Sequence, residues 1–233
     1  MRFQLTPAVK NILIACVILF IGTLIFESKN ISLIEILGLY YPGHPKFMPY
    51  QLITHMFMHG GLTHIIFNMF GLITFGVVLE NIMGTKKFIA LYFFSGLGAI
   101  LIHLLAQAIV IHQYTGNWWL SDVTNFINSN PSQEVFDKVK SNYASLMIGA
   151  SGCIYGVSAA FAFLFPNSPL YIMFIPVPIK AKYVIPGFIA LDLFLGISNF
   201  NWDPTAHFAH VGGGLFGFAL TYYWRKKDKS NFW

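Results

Sequence analysis

The sequence predicts an all-α membrane protein, a bundle of six transmembrane helices with both termini on the cytoplasmic side. Of its 233 residues, 56% are hydrophobic and 10% are charged, whereas about a quarter of the residues of a soluble domain are charged. Six apolar segments approach the roughly 20 residues that a helix needs to cross a bilayer. The positive residues cluster between alternate segments, which is typical of a chain threaded through a membrane.

The predicted spans divide the chain into helices and connecting loops. The spans cover residues 7–26, 62–83, 88–111, 145–165, 183–200 and 206–224. The first could also be a signal peptide, but no small-residue cleavage site follows it, so a span is predicted. The expected connections are an outer loop at 27–61, a polar loop at 112–142, a proline-broken segment at 166–182 and a tight turn at 201–205. Residues 1–233 would then form a single membrane domain.

The positive residues fix the predicted orientation. Ten of the 14 lysines and arginines fall on one side of this topology: Arg2, Lys10, Lys86, Lys87, Lys180, Lys182, Arg225, Lys226, Lys227 and Lys229. Because loops rich in positive residues stay in the cytoplasm, we expect both termini there. These residues lie at segment ends rather than in one basic patch, so no nucleic-acid partner is predicted. Cys16 and Cys153 lie in apolar segments, so no disulfide is expected.

Four polar residues are predicted at a similar depth below the outer surface. At about 1.5 Å per residue, Ser151 would lie ~9 Å down the fourth span and His210 ~6 to 8 Å down the sixth. His64 and Asn68 would lie ~5 and ~11 Å down the second span, one turn apart on one face. Polar groups at such depth are costly in lipid, so they indicate a functional site that faces the protein interior or water.

Small residues offer a way for the fourth and sixth helices to meet. Gly213 and Gly217 follow His210 on one face of the sixth span, and a Gly-x-x-x-Gly face is typical of close helix contact. Gly152 and Gly156 offer a matching edge on the fourth span. We therefore expect these two helices to touch and to bring the serine to the histidine.

A serine beside a histidine predicts nucleophilic acyl transfer, because a hydroxyl is a weak nucleophile until a base removes its proton. Tyr155, one turn from Ser151, is expected to stack on the His210 ring. Asp192 in the fifth span and Glu80 near the cytoplasmic end of the second are expected to lie far from the site. The sequence therefore predicts a Ser-His dyad without a carboxylate.

Donors for the developing oxyanion are predicted on the second span. His64 and Asn68 can supply N–H groups beside the backbone amide of Ser151, and one such donor typically stabilises a transition state by about 3 kcal/mol. Gly149 and Gly152 flank the serine and leave its hydroxyl open to close approach.

Three motifs in this order resemble those of the rhomboid family of intramembrane serine proteases, over roughly residues 50–224. They are Gly149-Ala150-Ser151-Gly152 with Tyr155, Ala209-His210-x-x-Gly213-x-x-x-Gly217, and His59-x-x-x-x-His64-x-x-x-Asn68. The resemblance implies a rhomboid-like bundle in which Ser151 is the nucleophile, His210 the base, and His64, Asn68 and the Ser151 amide the oxyanion hole.

The resemblance also implies several supporting features. His59 would support the oxyanion hole, Glu80 would be structural, and no cofactor or metal would be required. The substrate would be a transmembrane helix that reaches the site laterally past the fifth span. Many rhomboid proteins carry Trp-Arg where this chain has Tyr50-Gln51, which leaves the anchoring of the outer loop open.

Other functions are compatible with parts of the pattern. A metal- or haem-binding membrane protein would use the histidines, namely His55, His59, His64, His207 and His210, but the His-Glu-x-x-His pattern and nearby carboxylates are lacking. A transporter or a non-catalytic binder of membrane helices is the third alternative. His207 precedes His210 by one turn but lacks the paired glycines, so it is predicted to lie outside the catalytic pair.

The expected location is a multi-pass position in a prokaryotic plasma (inner) membrane, with the site open to the extracytoplasmic side. This expectation depends on the short termini and on the lack of a recognisable transit peptide.

Overall fold

The computed structural model describes residues 4–118, 123–171, 177–198 and 205–227. The α helices in these ranges are α1 Pro7–Glu27, α2 Leu33–Leu37, α3 Gln51–Thr54, α4 Leu62–Gly71, α5 Val77–Thr115, α6 Val123–Asn128, α7 Gln133–Tyr143, α8 Ser151–Leu164, α9 Ala181–Ser198 and α10 His207–Lys227. A 3-10 turn covers His55–Phe57, and a π-helical turn at Leu72–Gly76 joins α4 to α5. Two short antiparallel strands, β1 Pro169–Leu170 and β2 Ile179–Lys180, pair with each other.

Three helical segments of the described chain are long and apolar enough to cross a membrane. They are Pro7–Glu27, the continuous 54-residue segment Leu62–Thr115, and Ala181–Ser198. The long segment breaks at Gly84, where φ is 78° and ψ is 159°, so it consists of two helices joined at the boundary between the predicted second and third spans. The fold is therefore a helical membrane fold, whereas the count of six spans and the side of the termini stay predictions.

Several sequence predictions lie outside the described residues. These are most of the tight turn, residues 201–204, the last two residues of the predicted fifth span, residues 199–200, and the terminal cations Arg2 and Lys229.

The fourth predicted span begins later than expected. The helix α8 starts at Ser151 rather than at residue 145. The preceding segment is extended, since Met147 forms an isolated antiparallel bridge with Leu39 through two backbone hydrogen bonds of 2.9 Å, and Gly149 has a φ of 123°. Hydropathy does not distinguish an apolar extended segment from an apolar helix. The depth predicted for Ser151 was therefore calculated with a helical rise over the six residues 145–150, which are not helical.

The polar loop predicted at 112–142 is partly helical. The helix α5 continues to Thr115, and α6 and α7 follow within the predicted loop. Ser132 caps α7 by accepting a hydrogen bond from the Val135 N–H at 3.5 Å. These helices cover a small core of their own, formed by Tyr41, Ile111, Phe126, Val139 and Tyr143. Low mean hydropathy excluded a span here, but it did not exclude short amphipathic helices.

Close contact between α8 and α10 depends on glycine. A Cβ added to Gly213 would overlap the carbonyl oxygen of Gly152, and one added to Gly217 would overlap the backbone of Gly156. The two backbones therefore touch at both places, as the small-residue pattern predicts. This contact positions the first turn of α10 beside the first turn of α8.

Gln51 anchors the outer loop at the position that the sequence left open. Its buried side chain accepts hydrogen bonds from the Tyr40 and Met48 N–H groups at 3.5 and 3.1 Å. Its amide nitrogen donates to the carbonyls of Ile36 and Lys46 at 3.2 and 3.0 Å. One side chain therefore makes four bonds to the backbone of this loop, which uses the full capacity of the amide nitrogen.

Glu80 has a structural role at the start of the chain. Its carboxylate accepts hydrogen bonds from the N–H groups of Ala8 and Val9 at 2.8 and 3.0 Å and from the Thr85 hydroxyl at 2.7 Å. These amides belong to the first turn of α1, which has no capping side chain at Thr6. A carboxylate at a helix N terminus satisfies free donors and interacts favourably with the helix dipole.

Candidate active site

Ser151 is the first residue of α8, at the point where the extended segment turns into the helix. The first amides of a helix have no partner within the helix, and the helix dipole adds a partial positive charge there. Gly149, with a φ of 123°, makes the turn that exposes this end, because other residues rarely adopt that conformation. The hydroxyl therefore lies at a place where negative charge is favoured.

The Ser151 hydroxyl contacts a histidine of α10. The distance from Ser151 Oγ to His210 Nε2 is 2.8 Å. The Tyr155 ring lies parallel to the His210 ring, with the centroids 4.3 Å apart and an interplanar angle of 7°. Both the contact and the stacking occur where the sequence predicts them. All three residues are half-buried, so the reacting atoms are sheltered without being sealed off.

The prediction that no carboxylate is near the site is wrong. Asp192 of α9 places Oδ1 3.0 Å from His210 Nδ1, on the opposite side of the ring from the serine. Counted from residue 200, the predicted outer end of the fifth span, Asp192 would lie about 12 Å down, deeper than His210 at ~6 to 8 Å, so the depth count did not single out the acid.

His207, which the sequence places outside the catalytic pair, also contacts Asp192. Its Nδ1 is 2.6 Å from Asp192 Oδ1. The Tyr155 hydroxyl donates a hydrogen bond to the other oxygen, Asp192 Oδ2. Asp192 and His207 are both buried. The sequence signal for His207 was its i, i+3 spacing from His210, which puts both rings on one face of α10.

His64 presents an N–H group to the site. The Gly60 N–H donates to His64 Nδ1 at 3.4 Å, so the ring proton belongs on Nε2. A Cβ built on Gly149 would lie 2.8 Å from His64 Nε2 and 3.6 Å from Ser151 Oγ. Only a glycine therefore fits between the imidazole and the serine, and the Nε2–H group borders the space beside the hydroxyl.

Asn68 and His59 support this side of the site. The Asn68 amide nitrogen donates to the His64 carbonyl one turn earlier, at 2.8 Å, and its side chain is buried. One of its two N–H groups is used in this bond, which leaves the second for another acceptor. The His59 ring contacts the His64 ring edge-on at 5.0 Å, and its Nδ1 bonds to the Phe57 carbonyl at 3.2 Å.

Comparison with known proteins identifies the family. A model of the rhomboid domain matches residues 46–227. The chain belongs to the rhomboid family. This family consists generally of intramembrane serine proteases, and the matched range contains every candidate site residue described above.

Similar rhomboid proteins have low identity to this chain. The presenilin-associated rhomboid-like protein of Rattus norvegicus is 28% identical over 190 residues, 78% of this chain and 41% of its own. Rhomboid protein 1 of Saccharomyces cerevisiae is 25% identical over 173 residues, covering 74% and 41%. RHOMBOID-like protein 6 of Arabidopsis thaliana is 26% identical over 172 residues, covering 73% and 42%. The chain thus spans about two fifths of the length of these relatives.

The expected location needs correction. The three relatives carry the word mitochondrial in their names, so the prediction of a prokaryotic plasma membrane is wrong. Hydropathy and the distribution of positive charge describe how a chain crosses a bilayer, but they do not specify which membrane it occupies.

Among the other histidines of this rhomboid chain, His55 bonds to the backbone. His55 is buried, and its Nδ1 bonds to the Gln51 carbonyl at 2.7 Å. Burial lowers the pKa of His55 to about 4, so its ring is neutral at physiological pH.

Among the described residues, Asp192, His207 and His210 have donor atoms within 4.8 Å of one another and could hold a metal ion. The same atoms already form the two Asp-His hydrogen bonds.

Proposed function

We propose that this protein is an intramembrane serine endopeptidase that hydrolyses peptide bonds in or near transmembrane helices of membrane-protein substrates. The observation that carries the proposal is the 2.8 Å contact between Ser151 Oγ and His210 Nε2 at the N terminus of α8. His210 Nδ1 faces a carboxylate, so its proton belongs on Nδ1 and the Nε2 lone pair is free to accept the serine proton.

The first half of the reaction transfers the acyl group to the enzyme. As Ser151 Oγ attacks the scissile carbonyl carbon, His210 Nε2 takes the hydroxyl proton. The carbonyl oxygen becomes negatively charged, and the Ser151 amide, the His64 Nε2–H group and the Asn68 side-chain amide are the proposed donors to it. The imidazolium then gives its proton to the departing amine, which leaves an acyl-serine ester.

The second half repeats these steps with water. His210 removes a proton from a water molecule, the resulting nucleophile attacks the ester, and Ser151 leaves with the returned proton. Water must reach the site for this step, and the half-buried state of Ser151 and His210 is compatible with such access.

The substrate class follows from the position of the site within apolar helices. A peptide bond reaches Ser151 from a segment that is itself in the bilayer, so transmembrane proteins are the proposed substrates. The proposed topology has six spans with both termini on the side richer in positive residues. The names of the similar proteins support a mitochondrial membrane as the location.

A fluorophosphonate probe tests the proposal without a known substrate. The probe should label the wild-type protein and fail to label Ser151→Ala, because it reacts with an activated serine. Ser158→Ala is the matched control, since Ser158 lies two turns further along α8 and donates to the Ile154 carbonyl at 2.8 Å. Labelling that persists in Ser151→Ala, or a wild-type protein that resists the probe, would overturn the proposal.

Metal binding is the second candidate function, favoured by the three donor atoms of Asp192, His207 and His210. A metal held there would bind His210 Nδ1. Removal of the metal by a chelator would then abolish the activity measured by probe labelling. The protease proposal predicts that probe labelling is unchanged after chelation with EDTA. Loss of labelling with EDTA and its recovery with Zn²⁺ would support the metal-dependent alternative.

A further inference from the structure

A carboxylate in the middle of this bundle is the feature that extends the proposed function. Asp192 is buried in α9, and its donors come from the two helices that carry the reacting groups, His207 and His210 on α10 and Tyr155 on α8. A carboxylate in an apolar membrane helix is costly and is retained where it is paired or functional. Here it accepts from three side chains at once.

We propose that Asp192 and His207 are positioning residues for His210, so that the site works as an extended Ser-His-Asp-His chain rather than as a dyad. The proposal rests on the proposed protease function. Asp192 Oδ1 accepts the Nδ1–H of His210 at 3.0 Å. This bond selects the tautomer whose Nε2 lone pair faces Ser151, and it stabilises the imidazolium that forms when the serine loses its proton.

His207 holds the same oxygen from a second direction. Its Nδ1 lies 2.6 Å from Asp192 Oδ1, and its ring meets the His210 ring edge-on at 6.4 Å. A carboxylate oxygen with two donors at fixed positions on one helix cannot rotate away from either. His207 therefore fixes the direction in which Asp192 presents its lone pairs to His210.

Tyr155 completes the support through two contacts. Its ring stacks on His210, and its hydroxyl donates to Asp192 Oδ2. Both oxygens of the carboxylate are thus held, one from α8 and one from α10. Because the acid itself lies on α9, a displacement of α9 relative to α10 lengthens the Asp192-His210 bond and misaligns the base.

The variant Asp192→Asn tests the positioning role while it preserves the packing of the side chain. Asp192→Asn keeps the shape of the side chain but can present an N–H group to His210, which favours the wrong tautomer. We expect kcat to fall by at least about 100-fold with KM changed less than about two-fold. Asp137→Asn, an exposed residue of α7, is the matched control and should behave as the wild type.

His207 is tested by a rescue. In His207→Asn the side-chain amide nitrogen replaces Nδ1 as a donor to Asp192, whereas His207→Leu removes the donor and keeps the volume. We expect His207→Leu to lose at least about ten-fold in kcat and His207→Asn to recover most of it, with similar thermal unfolding for both. Equal kcat values for the two variants would overturn the role of His207.

A spectroscopic measurement keeps this proposal distinct from the protease function. With ring nitrogen-15 histidine, nuclear magnetic resonance should detect the hydrogen-bonded Nδ1–H protons of His207 and His210 in the wild type and lose both in Asp192→Leu, whereas the Nδ1–H protons of His55 and His59, which bond to backbone carbonyls, should persist. If the wild type neither cleaves nor binds the probe, the protease proposal fails, while these signals still decide whether Asp192 orients both rings. Unchanged signals in Asp192→Leu, or a wild-type kcat in Asp192→Asn, would overturn the positioning proposal.

Discussion

The candidate site and the outer loop are both held by polar side chains, but in different ways. In the site, four side chains from three helices bond to one another, namely Tyr155, Asp192, His207 and His210. In the outer loop, the single side chain of Gln51 bonds to four backbone groups. The site therefore depends on how α8, α9 and α10 pack, whereas one side chain of the loop makes four of the contacts that hold its backbone. Changes to the two regions should separate activity from stability.

Removing the base should have the largest effect on activity. His210→Ala should lower proteolysis by at least about 10³-fold, because it removes the base that contacts Ser151 Oγ. The unfolding temperature in detergent should fall as well, because buried Asp192 loses one of its three donors. His44→Ala, in the outer loop, is the control and should keep its activity. A His210→Ala variant that cleaves at a tenth of the wild-type rate or faster would remove His210 from the reaction.

Changing the helix contact should affect both activity and stability. Gly213→Ala places a Cβ against the Gly152 carbonyl oxygen, and neither backbone can move without separating α8 from α10. We expect loss of probe labelling together with a large fall in unfolding temperature. Gly187→Ala in α9, where an added Cβ meets nothing within 4 Å, is the control. Similar behaviour of the two alanine variants would show that the contact does not need glycine.

Removing the loop anchor should affect stability more than chemistry. Gln51→Ala leaves four backbone groups without their partner, and at about 1 kcal/mol per hydrogen bond the loss is about 4 kcal/mol. Denaturation in detergent would measure it, with the exposed Gln113→Ala as control. At low temperature the surviving folded protein should still react with the fluorophosphonate. Loss of labelling without loss of stability would mean that the loop takes part in the chemistry.

Acid should destabilise the outer loop around His55 by a smaller amount. Burial lowers the pKa of His55 from 6.5 to about 4, so the unfolded chain binds a proton more readily between these values. Stability should fall as the pH drops from about 6.5 to about 4, by up to about 3 kcal/mol from this residue alone. Denaturation at pH 7 and pH 4 should show a smaller difference for His55→Gln than for the wild type. An equal difference would assign the acid sensitivity to other groups.

The sequence predicted the parts of the site that depend on regular helices. Gly213 and Gly217 indicated the α8-α10 contact because small-residue spacing along a helix translates directly into a packing surface. The same regularity placed Tyr155 over His210, since residues one turn apart share a face. Where a segment predicted to be helical is helical in the structure, the spacing of residues along the sequence gives the relative positions of their side chains.

The parts that the sequence did not predict depend on breaks in that regularity. Residues 145–150 are as apolar as the helix that follows them, so only the structure shows the extended bridge to Leu39. The relative position of Asp192 and His207 depends on where α9 ends and where α10 begins. The sequence of the intervening residues, 199–204, has no periodic pattern that would predict this. Gln51 anchors the loop through long-range backbone contacts that no local motif encodes.

Cleavage of a transmembrane substrate in liposomes tests the central claim most directly. The purified protein would be reconstituted with a reporter that has one membrane helix, and the products would be sized by mass spectrometry. The account predicts cleavage within or next to the membrane helix by the wild type and by Ser158→Ala, and none by Ser151→Ala. Cleavage by Ser151→Ala at the wild-type rate would contradict it.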